Sequence, residues 1–342
     1  MGVGGTYDST NIVPSPIVTG VTALGIDHVF VLGKTIPEIA TQKGGIYKAG
    51  VPALAISPQP STGLDVLAAR ATELAASSFT PVPTNPALSA FPLGLAGQHQ
   101  VQNASLALAL IRTFLASARL PPAFANAKLI GLSEGQPALV SPASATDKER
   151  DGLERTRWPG RCQIVEDSEV EGGVDGVKWF LDGAHTVESV ECCGGWYKSA
   201  GQLAAPAQAR TRVLVFNCTA GRSGLSLLGT LLSSLGSQPF SHVIFCTNTS
   251  YKDGHSKGDL VAAAVDPTSL DVQREIAEGW AELMETRQPA LKAEVHVLGS
   301  VQEAVETVRG LKTGSEEVEV LVTGSLLLIG GLMEVAKFPI EV

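Results

Sequence analysis

Residues 25–48, GIDHVFVLGKTIPEIATQKGGIYK, decide how the first part of this chain is interpreted. The preceding residues 17–24, IVTGVTAL, are typical of a short buried strand, so His28 falls in the loop at the carboxyl end of that strand. Open α/β sheets bind ligands at this edge. Thr35 and Glu38 then form a capping-box pattern. The stretch therefore predicts a strand, a ligand-binding loop and a helix in succession.

A lysine occupies an apolar position of the predicted helix. Ile39 and Ala40 lie on one face at helical spacing, and the next position on that face is Lys43. A lysine on the inward side of a helix needs a partner, which a metal-phosphate site would supply. The alternative is that Lys43 offsets the negative end of the helix dipole just before Gly44. His28 has a similar alternative, as an ordinary loop histidine.

Composition excludes several classes of protein. With 342 residues and 44% hydrophobic content, the chain is long enough for two domains with substantial cores. A formal net charge of -9 argues against a general nucleic-acid binder. Five cysteines without a C-x-x-C pair indicate neither a zinc site nor a disulfide framework, and they favour a reduced, intracellular compartment. No apolar run reaches the length of about 18 residues that a membrane span requires.

Strands and helices alternate along the chain, with a charged helix at 144–155 that leads into a domain boundary near residue 155. Strict alternation predicts an α/β fold whose sheets are mostly parallel and covered on both faces. Residues 79–92 are predicted to be irregular and residues 165–176 to be an acidic surface insertion. The further predicted strands are 51–57, 178–182, 212–218, 242–248, 293–299 and 317–323, and the further predicted helices are 63–76, 101–118, 185–200, 224–236, 271–287 and 301–311.

Three further motifs carry polar residues suited to a nucleotide. GQHQVQNASLAL places Asn103 at the start of a helix, where its amide could contact an adenine edge or cap the helix. WPGRCQ puts Arg161 after a Pro-Gly turn, where its planar fork could reach phosphates. FLDGAHT puts Asp182 at a strand end, where it could accept from ribose hydroxyls, and His185 at the start of the next helix. Taken singly, an exposed arginine and a helix-capping aspartate explain these positions as well.

The motifs together resemble the folylpolyglutamate synthases of the Mur ligase superfamily, with the family's LGIDH loop and IAxQKxGI helix both present. The resemblance implies that His28 binds a magnesium ion and that Lys43 is a carbamylated catalytic residue and metal ligand. Carbamylation is chemically reasonable, because a partly buried lysine loses its proton more easily and its neutral amine can take up carbon dioxide. The product is an oxygen anion, which magnesium prefers.

The PGR and LDGAH motifs occur in the family's order, which implies roles for the nucleotide-site candidates. Asn103, Arg161 and Asp182 would bind ATP, and His185 would take part in catalysis nearby. VLVFNCTAGRS resembles a family strand of the glutamate-binding domain and makes Arg222 a candidate for a substrate carboxylate.

The resemblance also implies a complete reaction. ATP would phosphorylate the terminal γ-carboxylate of tetrahydrofolate or its polyglutamates, and L-glutamate would attack the resulting acyl phosphate to form a C–N bond. The implied cofactors are ATP, two Mg²⁺ ions, a monovalent cation and the carbamylated lysine. The enzyme would be a monomer acting on small molecules in the cytoplasm or mitochondrion, with no nucleic-acid partner. Residues 1–154 would be the later part of a Mur-ligase ATPase domain, and residues 155–342 a Rossmann-like, glutamate-binding domain.

One phosphate-binding motif is missing from this sequence. G-x-x-x-x-G-K-[ST] does not occur, and in the family it lies upstream of a segment resembling GVGGTYDSTN at residues 2–11. The expectation is a eukaryotic-type member that is truncated at its amino terminus. One alternative is a catalytically silent folate- or nucleotide-binding module. Another is a dihydrofolate synthase, which Tyr7 and Asp8 within GGTYDSTN make the less favoured assignment. A Rossmann-type oxidoreductase is a further alternative. It lacks support, because this sequence has no G-x-G-x-x-G that opens a helix after a predicted strand.

Overall fold

The chain folds into two compact units, each with its own α/β core, which confirms the predicted fold class. The amino-terminal unit comprises Met1–Gly94 and Gln98–Thr156, and the carboxyl-terminal unit comprises Leu95–Gly97 and Arg157–Val342. No helix among the described residues has the length and apolar character needed to cross a membrane. The computed structural model describes residues 5–127, 145–201, 210–218, 223–236, 240–253, 269–287 and 292–340.

The amino-terminal unit contains a small parallel sheet between two layers of helices. Its strands lie in the order β1-β2-β3. Because side chains alternate along a strand, Ala53 and Ala55 of the central strand face one helical layer, while Leu54 and Ile56 face the other. The elements in chain order are β1 (Thr19–Val21), α1 (Val29–Leu32), α2 (Ile36–Lys43), β2 (Pro52–Ser57), α3 (Ser61–Glu73), β3 (Ser78–Pro83), α4 (His99–Ala116) and α5 (Asp147–Arg155).

The predicted capping box at the start of α2 is confirmed. The Thr35 hydroxyl accepts from the Glu38 N–H, and the Glu38 carboxylate accepts from the N–H groups of Thr35 and Lys34 at 3.0 and 2.8 Å. These hydrogen bonds, that from the Lys34 N–H first, hold the pKa of Glu38 below its ordinary value. Local sequence therefore determines where this helix begins.

Two predictions for this unit need correction. The strand predicted at 17–24 is regular only in β1, and the region 79–92, predicted to be irregular, includes most of β3. β3 carries Pro81 and Pro83 and pairs with β2 alone in the described part of the chain. Proline lacks an N–H donor but is tolerated on a strand with one open side. The prolines therefore indicated an edge strand where irregular structure was expected.

An ion pair joins α4 to α5. The Arg112 guanidinium donates to both carboxylate oxygens of Glu149 at 2.6 and 2.7 Å, and both side chains are mostly buried. Burial alone would raise the pKa of Glu149, but hydrogen bonds from Arg112 and from the Thr146 N–H outweigh burial and hold it below its ordinary value. The helix predicted at 144–155 is thus confirmed as α5, although one of its acidic side chains is not on the surface.

Glu149→Gln should destabilise the protein by roughly 1.5–3 kcal/mol, since glutamine preserves the capping box but not the charge-assisted pair. The pKa of the Glu149 carboxyl is lower in the folded state than in the unfolded one. The ionised carboxylate therefore stabilises the fold above the unfolded pKa, and this stabilisation is lost as pH falls through the folded pKa. Urea unfolding of the variant should therefore show a shallower loss of stability below pH 4.5, the ordinary pKa. Asp151→Asn, in an exposed pair with Arg155, is the control and should change stability by less than about 0.5 kcal/mol.

The carboxyl-terminal unit is a six-stranded sheet in the order β4-β5-β9-β6-β7-β8. Among the described residues all strand pairs are parallel except β4 with β5, which confirms the predicted mostly parallel sheet. Its elements are β4 (Gln163–Glu166), β5 (Val177–Leu181), α6 (Val187–Ala200), β6 (Arg210–Phe216), α7 (Gly224–Leu235), β7 (His242–Cys246), α8 (Asp271–Arg287), β8 (Glu294–Leu298), α9 (Val301–Gly310), β9 (Glu317–Thr323) and α10 (Leu326–Ala336).

Helices cover both faces of this sheet. Trp280 of α8 packs against Phe245 of β7 in the core on one face. Val305 of α9 and Val215 of β6 belong to the core on the other face. The five cysteines form no disulfide, in agreement with the sequence, and Cys193 is buried in α6.

The prediction of an acidic surface insertion at 165–176 holds for most of its acidic side chains but is wrong for Asp167. The segment begins in β4, and Asp167 is completely buried. Its carboxylate accepts from the guanidinium of Arg309 at 2.9 Å through both oxygens, and from the indole N–H of Trp179 at 2.9 Å. A carboxylate can be buried when it is paired and hydrogen-bonded in this way. Asp167 is therefore part of the core, whereas Glu169, Glu171 and Asp175 lie at the surface.

Candidate functional site

Three segments singled out by the sequence converge in the amino-terminal unit. Gly5 has a φ of +84° and lies between Leu32, at the end of α1, and Gln42, next to Lys43 in α2. A Cβ atom on Gly5 would lie 3.0 Å from Leu32 and 3.1 Å from Gln42, so only glycine fits without displacement. The segment that begins at Gly5, the end of α1 and the QKGGI end of α2 thus form one local structure.

A lysine that the sequence analysis did not identify holds this structure together. Lys48 Nζ donates to the side-chain oxygen of Asn11 at 2.5 Å and to the carbonyl of Gly45 at 3.3 Å. The Asn11 amide in turn donates to the carbonyl of Gly5 at 3.0 Å. Lys48 and Asn11 are 37 positions apart, and no periodic pattern connects them. Their pairing therefore could not be found from the sequence.

His28 lies at the amino-terminal end of α1 in a left-handed conformation, with a φ of 51°. Its N–H donates to one Asp27 carboxylate oxygen at 2.8 Å, and its ring Nε2 lies 3.4 Å from the other. The His28 side chain is 43% exposed. A neighbouring carboxylate orients an imidazole in the way that ligating histidines require. The arrangement is therefore compatible with a metal ligand, and Asp27 adds oxygen atoms that magnesium prefers.

Lys43 is the last residue of α2 and is half-buried. Within the described residues no carboxylate or carbonyl engages its Nζ, and no hydrogen bond or ion pair joins it to His28. Its position at the helix end satisfies the dipole explanation. A half-buried amine without a protein acceptor is also what carbamylation needs. The two explanations differ in the effect of an arginine substitution, which is considered in the Discussion.

Side-chain amides tie together the carboxyl edge of the amino-terminal sheet. Gln59 lies just beyond β2, accepts from the Leu24 N–H at 2.9 Å and donates to the Thr22 carbonyl at 2.9 Å, which fixes the segment after β1. Gln102, in the first turns of α4, donates to the carbonyl of Pro58. The start of α4 therefore lies at the edge where parallel sheets bind ligands.

Asn103 lies near this edge, but not as a helix cap. Gln98 is the N-cap of α4, and Asn103 is the fifth residue of the helix, so the helix-capping alternative for Asn103 is wrong. The helix begins two positions before the predicted residue 101. The Asn103 amide nitrogen donates to the side-chain oxygen of Gln100 at 3.0 Å.

In the carboxyl-terminal unit, the PGR turn is held directly against the LDGAH segment. The Cys162 N–H donates to the Asp182 carboxylate at 2.8 Å, and the Gly183 N–H donates to the Gly160 carbonyl at 3.0 Å. Arg161 lies between these two attachments and is half-buried. Among the described residues its guanidinium has no hydrogen-bond or ion-pair acceptor, so the turn presents a cation beside a strand end.

Asp182 follows β5 and is almost completely buried. Besides the hydrogen bond from the Cys162 N–H, its carboxylate accepts one from the Ala184 N–H at 2.9 Å and one from the Cys162 thiol at 3.3 Å. Burial, and then the charge of Asp182, raise the pKa of the Cys162 thiol, which keeps its proton and donates. The suggestion that Asp182 caps the next helix is wrong, because Thr186 caps α6. Asp182 instead holds the Arg161 turn.

His185 lies one residue before the cap of α6. Its Nδ1 is 2.7 Å from the Gly183 carbonyl. A carbonyl can only accept, so Nδ1 carries the proton. Arg161, Asp182 and His185 are thus brought together within this unit. Arg222 lies outside the described residues.

Asp182→Ala should cost about 2 kcal/mol of unfolding free energy, because it leaves the buried N–H groups of Cys162 and Ala184 without their acceptor. Cys162→Ala is the matched variant: it removes only the weak thiol donor and should cost clearly less. Urea unfolding of both variants measures the difference. Equal losses would show that the carboxylate does not hold the turn.

Comparisons with known proteins identify what the chain is similar to. No known protein-family model matches the chain. The folylpolyglutamate synthases of Saccharomyces cerevisiae strains FostersO and AWRI796 are each 38% identical to it over 339 residues, covering 98% of this chain and 56% of each yeast protein. This chain is a homologue of folylpolyglutamate synthases. It spans little more than half the length of those curated relatives.

Solved structures of folylpolyglutamate synthases share the fold. The Mycobacterium tuberculosis enzyme, complexed with ADP and AMPPCP, has a TM-score of 0.63 at 19% identity and covers 99% of this chain and 68% of its own. Escherichia coli FolC in complex with ADP has a TM-score of 0.59 at 22% identity and covers 98% of this chain and 65% of its own. The bifunctional Yersinia pestis enzyme, complexed with AMPPNP and a manganese ion, has a TM-score of 0.57 at 20% identity, covering 98% and 65%.

Proposed function

We propose that this chain carries the folylpolyglutamate synthase activity of its relatives. The reaction is the ATP-dependent addition of L-glutamate to the γ-carboxylate of tetrahydrofolate and its polyglutamates. The observation that carries the proposal is the 38% identity to yeast folylpolyglutamate synthases over 98% of this chain. The locked Arg161 turn supports it independently, because phosphoryl transfer depends on positioned positive charge.

The proposed roles follow from what each side chain offers. Arg161 presents a guanidinium without a protein acceptor, which suits a phosphate. Asp182 holds the turn that carries Arg161. A ribose hydroxyl would donate to the carboxylate lone pairs that these hydrogen bonds do not use. Asn103 would contact the adenine, and Arg222 the carboxylate of the incoming glutamate. His185, fixed through Nδ1, would act near the reacting carboxylate.

Magnesium and a carbamylated Lys43 belong to the same proposal. His28 and its carboxylate neighbour Asp27 form a donor set that fits a divalent ion. Once carbamylated, Lys43 would add an anionic carbamate oxygen to this set. When bound, magnesium supplies neutralisation of the charge that develops on the phosphates. His28 orients its ring on Asp27, and Lys43 projects from the end of α2.

The transfer itself needs no protein nucleophile. The folate carboxylate attacks the γ-phosphorus of ATP, so that an acyl phosphate forms and ADP leaves. The glutamate amino nitrogen then attacks the acyl carbon, and inorganic phosphate leaves as the amide forms. Arg161 stabilises the charge on the phosphoryl oxygens during both steps. A base accepts the proton that the amine loses, and His185 is the candidate for that base.

Phosphate release by the 342-residue chain tests the proposal. Release should require ATP, tetrahydrofolate and L-glutamate together, and mass spectrometry should find a folate with one added glutamyl residue. Phosphate release without a glutamylated product would contradict the proposal. Nucleotide binding without turnover would favour a silent binding module, and turnover only with dihydropteroate would favour a dihydrofolate synthase.

A further inference from the structure

Two histidines and a glutamate converge at the amino-terminal ends of β7 and β8, opposite the edge of the sheet where Asp182 lies. His242 is the first residue of β7 and Glu294 the first of β8, and the two are partners across the parallel strands. His296 lies two positions after Glu294, so it projects from the same face. Three side chains that can bind metals are thus placed together by strand register alone.

The distances between their ligand atoms suit a metal ion better than hydrogen bonds. His242 Nδ1 lies 3.5 Å from His296 Nε2 and 3.7 Å from one oxygen of Glu294, while His296 Nε2 lies 3.6 Å from the other oxygen. Good hydrogen bonds between such groups are shorter, at about 2.7–3.2 Å. Four ligands around a zinc ion, at bonds of about 2.0–2.2 Å, lie roughly 3.3–3.6 Å apart. The cluster therefore has the separations of neighbouring zinc ligands.

The cluster is also accessible from solvent. The two histidine side chains are 18% and 20% exposed and that of Glu294 is 67% exposed, so an ion can enter from solvent. In the described residues this is the one group of three His, Cys, Asp or Glu side chains with such spacing.

We propose that His242, Glu294 and His296 form a binding site for a divalent transition metal ion of the zinc class, with a water molecule as the fourth ligand. Imidazole ligands favour zinc, nickel and copper ions over magnesium. The site therefore uses other residues, and prefers another metal ion, than the magnesium site of the proposed function. A bound ion would join β8 to β7 at the end of the sheet and stabilise the carboxyl-terminal unit.

Titration of the chelator-treated chain with Zn²⁺ and with Co²⁺ tests the proposal. Calorimetry near neutral pH should find one strong Zn²⁺ site, and Co²⁺ should give the intense visible bands of tetrahedral coordination. The conservative variants His296→Gln and Glu294→Gln should each bind at least roughly 10-fold more weakly and lose the bands. Bound Zn²⁺ should raise the Tm of the wild-type chain but not of these variants.

Glu317→Gln is the matched control, because Glu317 is also the exposed first residue of a strand at the same edge. This variant should keep wild-type affinity for Zn²⁺, and circular dichroism should confirm that all three variants are folded. Absence of Zn²⁺ binding by the wild-type chain would overturn the proposal. Equal affinity in all variants would overturn it too, because binding would then occur elsewhere.

Discussion

Replacing Asp167 with alanine should reduce the unfolding free energy by about 3–5 kcal/mol, the range found when one partner of a buried ion pair is removed. The carboxylate is fully buried and receives hydrogen bonds from the Arg309 guanidinium, the Trp179 indole and the Val174 N–H. Without it, a mostly buried guanidinium and two N–H groups lose their acceptor. Each such loss costs more than the hydrogen bond contributed when intact.

Urea unfolding monitored by fluorescence and circular dichroism measures this loss on the full chain. Glu171→Gln provides a matched control, because Glu171 belongs to the same acidic segment but pairs with Lys337 at the surface. The control should change stability by less than about 1 kcal/mol, as exposed ion pairs do. A loss in Asp167→Ala as small as that of the control would show that Arg309 is satisfied without the carboxylate.

Asp167 also marks the limit of what the sequence can predict about the fold. Helix starts such as Thr35 and strands such as β2, β5 and β9 depend on neighbours within a few residues, and they were predicted correctly. The partner of Asp167 is Arg309, 142 positions away, so the acidic segment has the same local pattern as a solvated loop. Burial of a charge depends on tertiary structure, and no local pattern reveals it.

The candidate site divides in the same way. The placement of Asp182 after β5 and of His185 before α6 follows from local strand and helix patterns. The attachment of the Arg161 turn does not, because Cys162 adopts a positive φ of 44° and reaches a carboxylate 20 positions away. The cap of α4 was also missed, since Gln98 is not among the residues that favour this position.

Lys43→Ala and His28→Ala should each lower kcat for glutamate addition by about 100-fold or more, the scale of losing one group that stabilises transition-state charge. This prediction rests on the proposed function and applies to the active enzyme. Stability should change little, because neither side chain is part of the core: His28 is 43% exposed, and Lys43 has no protein acceptor among the described residues. The loss should therefore appear in turnover, with the Tm nearly unchanged.

Lys43→Arg separates the two explanations of this residue. Arginine restores the positive charge at the end of α2 but cannot become a carbamate, since it remains protonated. If Lys43 acts through the helix dipole, the arginine variant should keep kcat, and Lys43→Ala should lose only about 0.3–1 kcal/mol of stability. If Lys43 is a carbamylated ligand, arginine should be as inactive as alanine. Lys34→Ala, which removes an exposed lysine just before the same helix, should leave kcat intact in both cases.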